Sequence, residues 1–489
     1  MTKKKGKAAK IILAVLFTIL VFAATLFLSS SIWFVSIYGN VGFDAVLFTL
    51  SAGFASTESG IIFSFCLCAL LPAIALTVII VLLYLLKPKI KFFTSCISIV
   101  LSVVFVIIAC NNFGINEYLV NSNTESEFFE EKYIYPTDEN VIFPQQKRNL
   151  IRIYVESLET TFLSEKIGGG IKHTCIPELA DLARNNINFS NTKGIGGALV
   201  TSGSSWTIAG IVSQTSGIPL KLYGVNNDYS GYSEFLPGAV TLMDILHNQG
   251  YRQAFMCGSD ASFASRDKFF TQHGVDYIYD LNTAEKEGII PHGYHVWWGY
   301  EDKYLYKYAK QKITEMAKSD RPFSFSMLTV DTHHIGGYVC SKCEHKYSEQ
   351  YENVYACASR QLNDFVSWIQ SQDFYNNTTI VITGDHNSMD AEYISRNMNK
   401  NYTRRVYNCI INSAAPAKFT KVREFTTIDF FPTTLAAMGC EIVGDRLGIG
   451  TNLFSGRKTY AEIMGFEEFS NEISKKSEFY TKKLENVTN

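Results

Sequence analysis

Long apolar runs are missing from most of this 489-residue chain: nearly all fall before residue 110, and the remainder has the composition of a globular protein. Positive charge is also short beyond residue 110, with 36 Lys and Arg against 44 Asp and Glu. That balance argues against nucleic acid as a partner. The loop from Tyr38 to Gly60 has no Lys or Arg. There is no internal repeat, no low-complexity stretch and no second Cys-x-x-Cys pair. The length exceeds one ordinary domain, so two or three units are expected.

What is present begins with three apolar stretches, residues 11–37, 61–86 and 92–110. Each is long enough to cross a bilayer, which takes about 20 residues. A cleaved signal peptide would account for the first alone, so an uncleaved membrane domain is the expectation. Lys3, Lys4, Lys5, Lys7 and Lys10 precede the first stretch, and Lys87, Lys89 and Lys91 separate the second from the third. Because positive charge is retained in the cytoplasm, the N-terminus is expected inside and everything after about residue 111 outside. The organisation expected is a membrane domain over 1–110, a polar acidic linker over 111–148 and an external domain over 149–489.

Seven cysteines fall in the external part: Cys175, Cys257, Cys340, Cys343, Cys357, Cys409 and Cys440. An odd number leaves at least one thiol free or paired between chains. Cys340-Ser341-Lys342-Cys343 reads as a local disulfide or as half of a zinc site with His345, and an oxidising compartment favours the disulfide.

From Asn149 onward β-rich runs alternate with amphipathic ones. Leu150-Ile151-Arg152-Ile153-Tyr154-Val155, 252–256, 323–330 and 379–383 read as strands, and 305–317 and 351–370 as helices. This alternation predicts an α/β domain with a mostly parallel sheet flanked by helices. Three of the strands end in polar residues: Glu156, then Asp331-Thr332-His333-His334, then Gly384-Asp385-His386-Asn387. In open α/β sheets, ligands bind beyond the carboxyl ends of the strands. Glu156, Asp385 and His386 would then meet on one edge, offering mixed oxygen and nitrogen ligands to Mn2+ or Zn2+ with one position open.

A glycine- and hydroxyl-rich loop from Gly194 leads through Ser202-Gly203-Ser204-Ser205-Trp206-Thr207 into an apolar helix that ends near Gly217-Ile218-Pro219. A hydroxyl at a helix start beside a metal has a lowered pKa, and the helix start favours the anion developing on a phosphate. The loop offers several such hydroxyls, and N-capping is the alternative role for each.

Val155-Glu156-Ser157-Leu158-Glu159, the Ser204–Gly210 segment with Ser213-Gln214-Thr215-Ser216-Gly217-Ile218-Pro219, Thr329-Val330-Asp331-Thr332-His333-His334 and Gly384-Asp385-His386-Asn387 together resemble the lipoteichoic acid synthase and glucan phosphoglycerol transferase families. These belong to the sulfatase-like branch of the alkaline phosphatase superfamily. The resemblance runs over about residues 149–455, and Thr427-Ile428-Asp429-Phe430-Phe431-Pro432-Thr433 with Asp445-Arg446-Leu447-Gly448 is similar to the end of those domains. It implies three transmembrane helices followed by an extracytoplasmic sulfatase-like domain, in a multi-pass protein of the bacterial cell membrane.

Carried over by position, the resemblance makes Glu156, Asp385 and His386 metal ligands, with Mn2+ as the family metal and Mg2+ or Zn2+ as alternatives. The family nucleophile is a Thr that also touches the metal. Counting back from Gly217-Ile218-Pro219 places it at Ser204, a position that also suits the first turn of the helix, whereas residue type points to Thr207; the expectation tilts to Ser204. His333 resembles the family histidine that touches glycerol phosphate, with His334 as the substitute. Arg266 resembles the family arginine that grips the phosphate, a task suited to a bidentate guanidinium. The family Trp two residues before that arginine is Ala264 here.

The implied reaction is a two-step displacement. A Ser or Thr hydroxyl attacks the phosphorus of phosphatidylglycerol, and diacylglycerol leaves with a proton from an acid such as His333. A hydroxyl on a glycan, glycolipid or polyglycerol phosphate acceptor then resolves the covalent intermediate. A phosphoethanolamine transferase shares the implied fold and nucleophile. A sulfatase needs a Cys/Ser-x-Pro-x-Arg context, which Ser204-Ser205-Trp206-Thr207-Ile208 lacks. A membrane-anchored binding protein with a decayed site is the non-enzymatic alternative.

Overall fold

The computed structural model describes residues 2–39, 42–52, 59–86, 91–221, 234–416 and 418–486. Two compact units divide the chain: Met1–Val46 with Gly53–Val120, and Leu47–Ala52 with Asn121–Asn489. The first holds three helical stretches long and apolar enough to cross a membrane, Ile11–Tyr38, Gly60–Leu85 and Lys91–Asn112. They coincide with the stretches expected from sequence to within two residues at each end. Lys87 and Lys89 of the orientation argument lie outside the described residues, as do residues 40, 41 and 53–58 of the Tyr38–Gly60 loop. The second stretch contains a π-helical turn, Cys66–Leu70, just before Pro72. Ser29 Oγ donates to the Ala69 carbonyl there at 2.8 Å, and Thr25 and Thr77 share a hydroxyl hydrogen bond at 3.1 Å. In an apolar medium such small polar groups hold helices together because water offers them no competing partner.

In the second unit the strands are β1 (Val141–Ile142), β2 (Asn149–Val155), β3 (Gly197–Ala198), β4 (Arg252–Cys257), β5 (Tyr277–Tyr279), β6 (Phe323–Leu328), β7 (Thr378–Gly384), β8 (Val406–Ile411), β9 (Glu441–Ile442), β10 (Arg446–Leu447) and β11 (Gly450–Thr451). Seven of them form one sheet in the order β3-β8-β7-β2-β6-β4-β5. β7, β2, β6, β4 and β5 run parallel, while β8 and β3 add an antiparallel edge. β2, β6, β7 and β8 are buried along their whole length, as expected for a sheet covered on both faces. Successive side chains of β2 alternate between those faces. Ile151, Ile153 and Val155 join a core with Leu179, Leu305, Ile313, Leu362 and Phe365 from helices on one side. Arg152 points to the other, where Nη1 donates to Thr434 Oγ1 at 2.8 Å and Nη2 to Gln214 Oε1 at 3.0 Å.

The stretch 111–148 departs from the linker reading. It carries helices Ile115–Asn123 and Phe128–Lys132, and β1 pairs antiparallel with β9. Phe129 is fully buried, with its ring 5.4 Å from Tyr480. A few large side chains separated by acidic residues give no periodicity, because they dock on the C-terminal part of the chain rather than on a neighbour in sequence. The boundary read at residue 149 therefore lies inside the second unit, which takes up the chain from Asn121.

Helix Thr207–Ser216 is buried over its last nine residues and approaches the end of β7 at backbone distance. A Cβ on Gly210 would collide with the Asp385 carbonyl oxygen, and one on Gly384 with the Leu158 carbonyl oxygen. Gln214 closes the contact, donating to the Gly384 carbonyl at 2.9 Å while accepting from Thr383 Oγ1 at 2.7 Å. Gly210→Ala must push this helix off the strand end. It is expected to destabilise the domain by about 1–3 kcal/mol, read as a lower denaturant midpoint at unchanged slope; an unchanged midpoint would refute the close approach.

Candidate active site

The order β7-β2-β6 sets three parallel strand ends side by side, and Asp385, Glu156 and Asp331 follow them. Glu156 and Asp385 are 2 % and 0 % exposed. Their ligand atoms and that of His386 all lie within 4.8 Å of one another. His386 Nε2 is 3.5 Å from Glu156 Oε1 and 3.4 Å from Asp385 Oδ2. His386 Nδ1 donates to the Asn387 carbonyl at 2.7 Å, which fixes the tautomer and leaves the Nε2 lone pair aimed at the carboxylates.

Asp385 Oδ1 accepts the backbone N–H groups of Ser157 and His386, each at 2.8 Å, but buried Oδ2 has no hydrogen-bond donor among the described residues. Burial, followed by the charge of Glu156, pushes the Asp385 carboxyl up to about 7. Burial pulls His386 down, yet Asp385 and Glu156 outweigh it and hold the imidazole above its ordinary pKa. An orphaned carboxylate oxygen, a second carboxylate and an oriented imidazole are the donor set a divalent cation takes. Ligands about 2.1 Å from one ion at tetrahedral angles sit about 3.4 Å apart, the spacing found here.

Of the hydroxyls in the glycine-rich loop and the helix it enters, that of Thr207 faces the cluster. Its Oγ1 lies 3.4 Å from Glu156 Oε2 and 3.4 Å from His386 Nε2. Thr207 is the first residue of its helix, after Trp206 in extended conformation at the N-cap, so it sits at the positive end of the helix dipole. Ser204 is elsewhere. It is fully buried, its Oγ shares a hydrogen bond with Thr201 Oγ1 at 3.0 Å and its N–H donates to the Thr201 carbonyl at 3.1 Å. The expectation that Ser204 occupies the first helical turn does not hold, because the helix starts three residues later. Its hydroxyl is committed to the preceding turn, and it is not in the cluster with Glu156, Asp385 and His386.

Ser157 joins the two carboxylates. Its Oγ donates to Glu156 Oε1 at 2.7 Å, its N–H serves Asp385, and its carbonyl accepts from Tyr355 at 2.6 Å. It does so at a φ of 56°, a left-handed backbone that costs a non-glycine residue free energy and persists where the surroundings enforce it. Two further clamps hold the loops. Glu159, buried, pairs with Arg404 and accepts the Ser388 N–H at 3.1 Å. The Asp302 carboxylate accepts the N–H of Val330 at 2.8 Å, while Asp331 Oδ1 accepts that of Asp302 at 3.1 Å.

His333 donates through Nδ1 to the His334 carbonyl at 2.8 Å, and burial lowers its pKa to about 4. It is neutral at physiological pH with Nε2 as an acceptor, which does not suit the acid role expected from sequence. His334 stacks on it at 4.5 Å, and burial holds its pKa well down. Arg266, 4 % exposed, opens helix Arg266–Gln272. Nε donates to the Phe263 carbonyl at 3.0 Å, and Nη2 to Ser259 Oγ at 3.0 Å and the Asp260 carbonyl at 2.6 Å. Trp298, which the sequence reading missed, lies with its ring 4.3 Å from His333 and 6.0 Å from Phe263. It brings an indole beside the Arg266 loop, where the sequence around Ala264 has none; the Trp297-Trp298 doublet was its only signal.

The family model for sulfatases matches residues 148–440. The chain belongs to the sulfatase family. Phosphoglycerol transferase I of Escherichia coli O6:K15:H31 is similar at 29% identity over 341 residues, covering 68% of this chain and 42% of that protein. The chain thus spans about two fifths of the length of the curated relatives it matches. Among solved structures, the lipoteichoic acid synthase LtaP from Listeria monocytogenes superposes with a TM-score of 0.51 at 21% identity, over 64% of this chain and 77% of that one. Lipooligosaccharide phosphoethanolamine transferase A from Neisseria meningitidis superposes with a TM-score of 0.50 at 13% identity, over 87% and 84%. These likenesses establish the sulfatase-like fold that the motifs implied, and three apolar helices precede it in the chain.

Metal binding at this cluster must displace protons from Asp385 and His386, both held above their ordinary pKa. Affinity is therefore expected to fall as pH drops from 7.5 to 5. Adding Mn2+ or Zn2+ to metal-stripped protein should raise its melting temperature more at pH 7.5 than at pH 5, and Asp385→Asn should abolish the difference. An equal rise at both pH values would contradict the assignment.

Proposed function

We propose that this chain is a membrane-anchored phosphoglycerol transferase that moves glycerol phosphate from phosphatidylglycerol to a hydroxyl of a glycan, glycolipid or polyglycerol phosphate acceptor. The observation that carries the reading is the Thr207 hydroxyl, at a helix N-terminus and 3.4 Å from both Glu156 and His386. A sulfatase of formylglycine type is disfavoured, since Thr207 is neither Cys nor Ser and Ala209 and Ile211 stand where Pro and Arg belong. The similarity to a phosphoglycerol transferase favours glycerol phosphate as the group moved.

Glu156, Asp385 and His386 would hold the metal, Mn2+ by family preference with Mg2+ or Zn2+ as alternatives. When bound, it supplies a lowered pKa for the nucleophilic hydroxyl and a positive charge facing the phosphoryl oxygens. Thr207 Oγ1 attacks phosphorus, the bond to the diacylglycerol oxygen breaks, the proton given up by the Thr207 hydroxyl ends on that leaving oxygen, and a glycerophosphoryl-threonine ester remains; attack by the acceptor hydroxyl then breaks this ester and the acceptor's proton returns to Thr207. The N-terminus of helix Thr207–Ser216 stabilises the charge on the phosphoryl group. Arg266 has Nη1 left for a substrate oxygen, its other nitrogens being used within its own loop. Neutral His333 accepts a hydrogen bond from a glycerol hydroxyl or takes the proton of the incoming acceptor hydroxyl, and His334 supports its ring. The lysines around the apolar helices favour an extracytoplasmic site, and the apolar helices keep it near a lipid donor.

Release of diacylglycerol from fluorescent phosphatidylglycerol tests this reading. Thr207→Ala is expected to lose at least about 10³-fold in rate, Thr207→Ser to keep measurable activity and Ser204→Ala to stay within about tenfold. Loss in Ser204→Ala with full activity in Thr207→Ala would overturn the nucleophile. Turnover of phosphatidylethanolamine instead would make the chain a phosphoethanolamine transferase, and silence on both lipids would favour a non-catalytic binding protein.

A further inference from the structure

Away from this site, three cysteines converge. Cys340 and Cys343 flank a turn in which the Cys343 N–H donates to the Cys340 carbonyl at 3.0 Å, and Cys357 comes from helix Gln350–Gln370. The local disulfide expected from sequence is absent: all three thiols are free. Cys340 Sγ lies 3.8 Å from Cys357 Sγ and 3.8 Å from Cys343 Sγ, and the three sulfurs lie within 4.8 Å of one another. Disulfide sulfurs sit about 2.05 Å apart. Sulfurs held about 2.3 Å from a tetrahedral Zn2+ sit about 3.8 Å apart.

We propose that Cys340, Cys343 and Cys357 bind a structural Zn2+, separate from the metal at Glu156, Asp385 and His386. The surroundings suit thiolates. Gln361, one helical turn beyond Cys357 and 6 % exposed, presents its carboxamide to Cys357 Sγ at 3.4 Å and to Cys340 Sγ at 4.0 Å. Its Oε1 has no hydrogen-bond partner among the described residues. Half a turn of the amide exchanges Nε2 for Oε1, so the fourth position falls to that oxygen or to water. Binding exchanges three thiol protons for one Zn2+ and leaves one negative charge. Lys303, bonded to Ser341 Oγ at 3.1 Å, and Arg360, bonded to the Lys342 carbonyl at 3.3 Å, are placed to offset it.

The consequence is positional. The loop that leaves β6 carries His333 and His334, then Cys340 and Cys343, before it joins helix Gln350–Gln370. From that helix Tyr351 donates to the Thr332 carbonyl at 2.9 Å, and Tyr355 reaches Ser157. A Zn2+ between the turn and Cys357 clips the far end of the histidine loop to the helix that braces its near end.

The test uses the full chain in detergent, purified without chelator or reductant. One equivalent of Zn2+ is expected to persist in Asp385→Ala, to be released by a mercurial thiol reagent and to be missing in Cys357→Ser. Alkylation of the denatured wild type with iodoacetamide, without reductant, is expected to modify all three cysteines. Replacement by Co2+ is expected to give thiolate-to-metal charge-transfer absorption that Asp385→Ala retains. No Zn2+ in Asp385→Ala, or two of the three cysteines refractory to alkylation as a disulfide, would overturn the proposal. Neither readout depends on transferase activity, and the Zn2+ content and Co2+ charge-transfer band of Asp385→Ala decide the matter even if Cys357→Ser fails to fold.

Discussion

Two carboxylates buried against each other at the end of a sheet are the constraint around which the domain is arranged. Burial and the charge of Glu156 both push the Asp385 carboxyl up, so keeping it ionised draws on the domain's marginal net stability. The chain offsets part of this with two backbone N–H groups on Oδ1 and an imidazole facing both acids, but it leaves Oδ2 without a donor. A bound divalent cation would answer what remains. The left-handed backbone at Ser157 follows from the same constraint, because one residue must serve Glu156 with its hydroxyl and Asp385 with its N–H. The close contact through Gly210 does too, since it brings the helix that starts at Thr207 against the end of β7.

Much of this was legible in the chain. Apolar length marked the three spans within a few residues. Strand patterning followed by Glu156, Asp331 and Asp385 marked one sheet edge, because a buried parallel strand that ends in a carboxylate stands out locally. Where the sequence misled, the deciding interaction was non-local. Ser204 and Thr207 are three residues apart, and only the helix start, set by how the helix meets Asp385 through Gly210, separates a hydroxyl bonded to Thr201 from one beside Glu156. His333 reads as an acid until its Nδ1 bond and burial are known. Cys340 pairs with Cys343 on adjacency, yet the third thiol comes from a helix fourteen residues on. The docked 121–148 segment gave no periodic signal because its partners, Tyr251, Ile442, Gly448 and Tyr480 among them, lie far along the chain.

The sulfatase family hosts different transferred groups on one sheet, so what distinguishes this chain lies around the common cluster. Thr207 replaces the modifiable Cys or Ser of a formylglycine site. Trp298 stands beside His333 and close to the Arg266 loop, where the resembled families carry a tryptophan within that loop itself.

The central claim is that Thr207 carries the transferred group. Its most direct test is peptide mass mapping of full-length protein quenched at low pH during turnover of phosphatidylglycerol without acceptor. The account predicts a glycerophosphoryl adduct on the peptide containing Thr207, localised by fragmentation to that residue. An adduct on Ser204, or a phosphoethanolamine adduct formed only from phosphatidylethanolamine, would contradict it.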